Sequence, residues 1–139
     1  MKEIVRFGVS MEKKLLQDFD KLISKKGYTN RSEAVRDLIR NYLVEEEWRT
    51  GKKEMVGTIT LVYDHHKRGL TDTLTDLQHH AHGLVISTMH LHLDEKNCLE
   101  ILAVKGAANK IKAFADRLMS TPGVKHGKLT MTTTGKELS

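Results

Sequence analysis

Residues 78–98 read QHHAHGLVISTMHLHLDEKNC, and the fold follows from how this stretch is parsed. LVISTMHLHL (84–93) is an apolar run with the composition of a β-strand. DEKN (94–97) is a cluster of turn formers, and the chain returns as a second strand over 98–105. Pairing His92 with Cys98 leaves a five-residue connection, 93–97. Alternate strand residues share a side and lie roughly 6–7 Å apart, so His90, His92 and the thiol then occupy one face. These residues hold five of the eight histidines and the only cysteine. Two neutral imidazoles and a thiolate suit Zn, Ni, Cu or Co, and not Mg or Ca. The cluster His79-His80-Ala81-His82 just upstream offers a fourth ligand. With one cysteine and no CxxC pair, the spacing is not that of a zinc finger.

Outward from the hairpin, MVGTITLVYD (55–64) is a β-branched strand and HHKRG (65–69) a loop. Residues 71–82 read as a helix with Leu70, Leu74, Leu77 and Ala81 on one face and Gly83 as its stop. AANKIKAFADRLMS (107–120) is a second helix, closed by Pro122-Gly123, and HGKLTMTTT (126–134) is the last strand. The order β-α-β-β-α-β is the ferredoxin-like plan, α+β in class, with both helices on one face of a four-stranded sheet. Hydropathy assigns Met89, Leu91 and Leu93 to the helix side. It leaves Leu84, Ile86, Thr88, His90 and His92 on an open face that packs on another subunit, with a metal between them. Glu100 falls beside His90 across the hairpin, as a partner behind the ligands.

The front of the chain is different. IVRFGVS (4–10) alternates, with Val5, Phe7 and Val9 on one side and Arg6, Gly8 and Ser10 on the other, which predicts a half-buried strand. Ser10 reads as an N-cap with Glu12 in the first turn, and Leu15, Leu16, Phe19, Leu22 and Ile23 as the apolar face of a helix over 11–26. Gly27 ends it. Asn30-Arg31-Ser32-Glu33 predicts a capping box for a second helix running to about residue 47, and WRTGKKE (48–54) a linker. A lone strand has two unpaired edges, so it calls for the same strand of a second chain. The resulting ribbon presents Arg6, Gly8 and Ser10, and such ribbons fit the major groove of DNA. Asn30, Arg31 and Ser32 at the helix start are placed to hold a backbone phosphate.

Composition agrees with two halves of unlike chemistry. Residues 1–53 carry 13 Lys and Arg against 9 Asp and Glu and no histidine; residues 54–139 carry 10 against 9 and all eight histidines. No apolar run reaches the length of about 18 residues that a membrane span needs, and the N-terminus lacks a signal-peptide core. With a single cysteine there is no internal disulfide, so a reduced, cytoplasmic setting is expected. No nucleophile–base constellation stands elsewhere in the chain, so neither an enzyme nor a small-molecule substrate is expected.

With both halves read, the chain resembles the nickel-responsive transcriptional regulators of the NikR family over nearly its full length. The front carries the likeness in GYTNRSEAVRDLIR (27–40), the rear in LQHHAH (77–82), STMHLH (87–92), NCLE (97–100) and GVKHG (123–127). The resemblance implies a ribbon-helix-helix domain for DNA binding and dimerisation over 1–50. It implies an ACT-like domain for metal binding and tetramerisation over 54–139. It implies Ni²⁺, one per subunit, on His90, His92 and Cys98 with His79 from a second subunit, in the square-planar geometry of a d⁸ ion with nitrogen and sulfur donors. It implies a homotetramer built as a dimer of dimers, binding of a palindromic operator when nickel-loaded, and repression of nickel-uptake genes. Arg6, Gly8 and Ser10 match the family's base-reading positions, although Gly8 lacks the hydroxyl usual there. Glu33 and Asp37 match a second, potassium-like cation site.

Overall fold

The computed structural model describes residues 2–139, and they form two compact units that divide at Arg40 and Asn41. In the first unit, residues 2–12 have no regular secondary structure and make no ladder, so the strand predicted over 4–10 is absent from the described residues of the single chain. Ile4, Val5, Phe7 and Val9 stand 68–86% exposed. A strand exists only against a second one, and among the described residues no segment pairs here.

Helix α1 spans Lys13–Lys25. Glu12, not Ser10, holds the N-cap position, with ψ 144° and no side-chain cap; its carbonyl accepts the first helical bond from Leu16 at 3.2 Å. The expected Ser10 cap therefore does not form, because the chain stays outside the helix through Glu12. At the other end Gly27 adopts φ 90°. Tyr28 N–H donates to the Ile23 carbonyl at 3.0 Å and Gly27 N–H to the Ser24 carbonyl at 3.1 Å, a Schellman closure. Helix α2 spans Arg31–Thr50. Asn30 Oδ1 caps it by accepting Glu33 N–H at 2.9 Å, one half of the predicted capping box, while the Glu33 carboxylate pairs with Arg36.

The second unit begins within α2, and the reason is Trp48. Its side chain is buried, its Nε1–H donates to the Thr132 carbonyl at 2.8 Å, and the Trp48 carbonyl accepts from Lys112 Nζ at 2.8 Å. The stretch read as a linker over 48–54 thus begins as the last turn of α2, with Trp48 in the core, and the chain turns at Gly51, φ 77°. The elements that follow are β1 (Glu54–Asp64), α3 (Leu70–His79), β2 (Val85–His92), β3 (Asn97–Ala107), α4 (Ala108–Met119) and β4 (Val124–Thr132). They form a four-stranded sheet in the order β2-β3-β1-β4, antiparallel throughout, which is the expected β-α-β-β-α-β plan. Ile59, Leu61, Leu102 and Val104 from the sheet meet Leu74, Ile111 and Leu118 from α3 and α4 in the core.

The register corrects one expectation. Cys98, Glu100, Leu102 and Val104 are the buried set of β3, on the helix side. His92 pairs with Cys98 and His90 with Glu100, and directly opposed residues share a face. His90 and His92 therefore lie on the helix side, and Met89 and Leu91, opposite Ile101 and Leu99, on the open side at 56% and 43% exposure. The order is the reverse of the hydropathy assignment. β3 is central and its inward set is fixed by the core; β2 is an edge strand that inherits its facing from β3 whatever its own polarity.

Candidate metal centre

Three elements converge where β3 begins. The hairpin end is held by Asp94, whose Oδ1 accepts the backbone N–H of Lys96 at 2.8 Å and of Asn97 at 2.7 Å. These bonds, with the Asn97 side-chain amide first among them, pull its carboxyl down to about 2. Leu93 N–H donates to the Asn97 carbonyl at 2.9 Å, so the five-residue connection is closed and His92 stands opposite Cys98. β1 lies beside β3 with Tyr63 opposite Cys98, and the loop after β1 folds back: His65 N–H donates to the Lys96 carbonyl at 2.9 Å and His66 N–H to Asp64 Oδ1 at 2.8 Å.

The result is a corner of one sulfur and two nitrogens. Cys98 Sγ is 3.1 Å from His65 Nδ1 and 3.4 Å from His92 Nδ1. The donor atoms of His65, His92 and Cys98 lie within 4.8 Å of one another. The His65 and His92 rings meet edge-on at 5.1 Å between centroids. His90 stands behind, 5.4 Å from the His92 ring and edge-on to Tyr63 at 6.0 Å. Cys98 is fully buried; burial pushes its thiol up, and the charges of Glu100, Asp64 and Asp94 push the same way. Burial also raises the Glu100 carboxyl, against Gln78 Nε2, which donates to it at 3.5 Å, and against His90. Tyr63 is pushed up to about 12 by burial and by the neighbouring Glu100 and Cys98.

Of the residues expected to bind metal, the chain by itself brings His92 and Cys98 together; His90 stands behind them, next to His92 but outside the group of converging donor atoms, and His79 lies apart. His79 ends α3, exposed. Sequence reasoning missed His65, which it placed only in the loop over 65–69. The signal was available in the topology: in this plan β1 neighbours β3, so a residue just past the end of β1 meets the start of β3. The donor set, two imidazoles and a thiol with a third imidazole adjacent, fits a borderline or soft divalent ion.

In the first unit, Arg6, Gly8 and Ser10 lie in the exposed segment before α1. Nothing stands within 4 Å of where a Gly8 Cβ would be. Asn30 is spent on its cap, and Arg31 grips Asp20 through Nε and Nη2, both at 2.8 Å. This pair is exposed and screened by solvent, so it is weak. The two acids read as a second cation site are each matched from within the unit. Asp37 accepts Tyr28 Oη–H at 2.5 Å and Arg40 Nη1 at 2.7 Å, and Tyr28 first, then Arg40, hold its carboxyl below the usual range. Glu33 pairs with Arg36, with Arg40 at 3.8 Å.

Residues 56–132 match the NikR C terminal nickel binding domain, and residues 5–46 the ribbon-helix-helix protein, copG family. Relatives named as nickel-responsive regulators include that of Geobacter sulfurreducens, 61% identical over 138 residues, 99% of each chain. Another is that of Pyrococcus furiosus, 56% identical over 135 residues, 97% of this chain and 98% of the relative. That of Caldanaerobacter subterraneus subsp. tengcongensis is 58% identical over 135 residues, 97% of this chain and 88% of the relative. Among solved structures, the ACT domain of a GTP pyrophosphokinase from Chlorobium tepidum overlays with a TM-score of 0.49 at 15% identity, over 55% of this chain and 99% of that one. With a ribbon-helix-helix match in front of it and a full-length likeness to regulators around it, the His/Cys corner sits in a nickel-binding domain, and the chain belongs to the NikR family.

Proposed function

We propose that this chain is a nickel-responsive transcriptional regulator that binds operator DNA through its front and Ni²⁺ through its rear. The carrying observation is the corner itself: a fully buried thiol with imidazole nitrogens at 3.1 and 3.4 Å, inside the region that matches a nickel-binding domain. His90, His92 and Cys98 are the ligands from one chain, and His79 of the partner subunit is the fourth, with one Ni²⁺ per subunit. The exposed position of His79 at the end of α3 supports this, because it leaves the imidazole available to another copy. When bound, nickel supplies a bond between subunits that the protein lacks without it. Cys98 has to give up its proton, Glu100 orients the His90 ring from behind, and the Asp94 turn keeps His92 opposite the thiol.

A homotetramer made of two ribbon-helix-helix dimers then presents Arg6, Gly8 and Ser10 from paired strands to a palindromic operator, with Asn30, Arg31 and Ser32 on the backbone. Repression of nickel-uptake genes is the expected output. A filled site that favours the DNA-competent tetramer couples metal and DNA binding reciprocally.

A second ligand set has its own observation. His65 Nδ1 is nearer the thiol than His92 Nδ1 is, so His65, His92 and Cys98 make a site within one chain. The test for both is a nickel titration followed by absorption, with Cys98→Ala, His79→Ala and His65→Ala beside the unaltered protein. The inter-subunit set predicts a thiolate-to-nickel band saturating at one metal per chain, lost in Cys98→Ala, altered in His79→Ala and kept in His65→Ala. The in-chain set predicts the opposite dependence on His65 and His79. No thiolate band in the unaltered protein sinks the nickel assignment.

A further inference from the structure

The three histidines of the 79–82 cluster do not serve one purpose. His80 caps α3, and its Nδ1 lies 2.7 Å from the Asp76 carbonyl; since a carbonyl only accepts, Nδ1 carries the proton and Nε2 faces outward. His82 has φ 37°, the one non-glycine residue with positive φ among those described, and Gly83 follows at 79°. Two left-handed residues in succession swing the chain from α3 into β2. They open a groove of about 570 Å³ between this turn and α4, away from the Cys98 corner.

The α4 wall of the groove is Lys110, Ala113, Phe114 and Arg117, one stripe at i, i+3, i+4 and i+7. Two cations bracket a small residue and an aromatic ring. Among the described residues, neither Lys110 nor Arg117 has an ion-pair partner for its side chain. No lining residue is acidic, and the one lysine of the opposite wall, Lys105, is 3.7 Å from Glu54. The floor is apolar. Leu84 is seated there because Gly106 has no side chain: a Cβ at Gly106 would stand 2.4 Å from Leu84 Cδ2. Ala113 is exposed where a larger residue would fill the space.

An apolar floor under a rim of cations is complementary to an organic anion with an apolar body. The volume is within the range of small-molecule sites, about 300–1,000 Å³. A nucleic-acid backbone would use the cations and leave the floor unpaired, so the observations favour a small molecule. We propose that the groove between α3 and α4 is a binding site for a small amphipathic carboxylate, held at its charged end by Lys110 and Arg117 and along its body by Phe114 and Leu84. Such a site gives the regulatory domain a second input that uses none of the metal ligands.

Isothermal titration of 4-phenylbutyrate into full-length, metal-free protein tests it, with Ala113→Trp and the Lys110→Glu, Arg117→Glu double variant in parallel. Circular dichroism and the nickel absorption band verify that both variants fold. The expected result is saturable binding that Ala113→Trp abolishes, that the double variant weakens by about tenfold or more, and that inorganic phosphate does not reproduce. No saturable binding at millimolar concentration overturns the proposal. So does binding that survives Ala113→Trp, or equal binding of phosphate, which would reduce the groove to a patch of charge.

Discussion

At the scale of single residues, the corner at Cys98 is set by proton and turn chemistry. Burial raises the thiol, so Cys98 is protonated near neutral pH and nickel has to displace that proton. Affinity is therefore expected to fall as pH falls, by about tenfold per unit for one displaced proton, and competition against a nickel chelator at two pH values measures it. An affinity flat in pH would mean the sulfur is not a ligand. Asp94 works in the opposite sense. Its carboxyl is depressed to about 2 by the turn amides, so the stabilisation it gives the turn is present above the ordinary carboxylate range and is lost as pH drops toward 2. Asp94→Ala releases the connection that holds His92 opposite Cys98. Nickel affinity is expected to drop about tenfold, with secondary structure by circular dichroism unchanged.

At the scale of elements, the two helix ends of greatest consequence are those of α1 and α2. Gly27 closes α1 at φ 90°, a conformation costly for any residue with a Cβ. Gly27→Ala is expected to lower stability by about 1 kcal/mol in a urea titration, with helix content retained. Trp48 fastens the last turns of α2 into the second unit through its ring, its Nε1–H and the Lys112 ammonium on its carbonyl. Trp48→Ala empties a large buried volume and leaves the Thr132 carbonyl without its donor. A loss of about 3–5 kcal/mol is expected, read from the urea midpoint. A loss below about 1 kcal/mol would mean that α2 is not anchored there.

At the scale of the whole molecule, the proposed ribbon rests on the front segment of the chain. Ile4, Val5, Phe7 and Val9 are exposed beside a groove of about 650 Å³ that Leu16, Phe19 and Val35 also line. In the proposed ribbon this segment becomes a strand by pairing with the same segment of a second copy. Phe7→Ser is expected to lower the assembly state in sedimentation and to abolish operator binding while nickel uptake persists. Retained operator binding would remove the ribbon reading of residues 4–10.

Much of this was legible in the residue pattern, for stated reasons. Periodicity placed all eight helices and strands of the described residues to within a few positions, and added one strand, over 4–10, that the single chain does not form, because amphipathic helices and β-branched strands carry their period in composition. HxH followed by the DEKN turn set the pairing of His92 with Cys98, since both lie in one hairpin whose loop length fixes the register. The Asn30 cap and the Gly27 stop are local chemistry and were read as such. Three things were decided only in three dimensions. The face of β2 was settled by its neighbour β3, so the hydropathy of Met89, Leu91 and Leu93 pointed the wrong way. His65 joined the thiol because the sheet order sets the end of β1 beside the start of β3, a contact across 33 positions. Trp48, read as linker, became core because the surface that buries it comes from α4 and β4, whose place beside α2 is a property of the packed domain and of no local stretch.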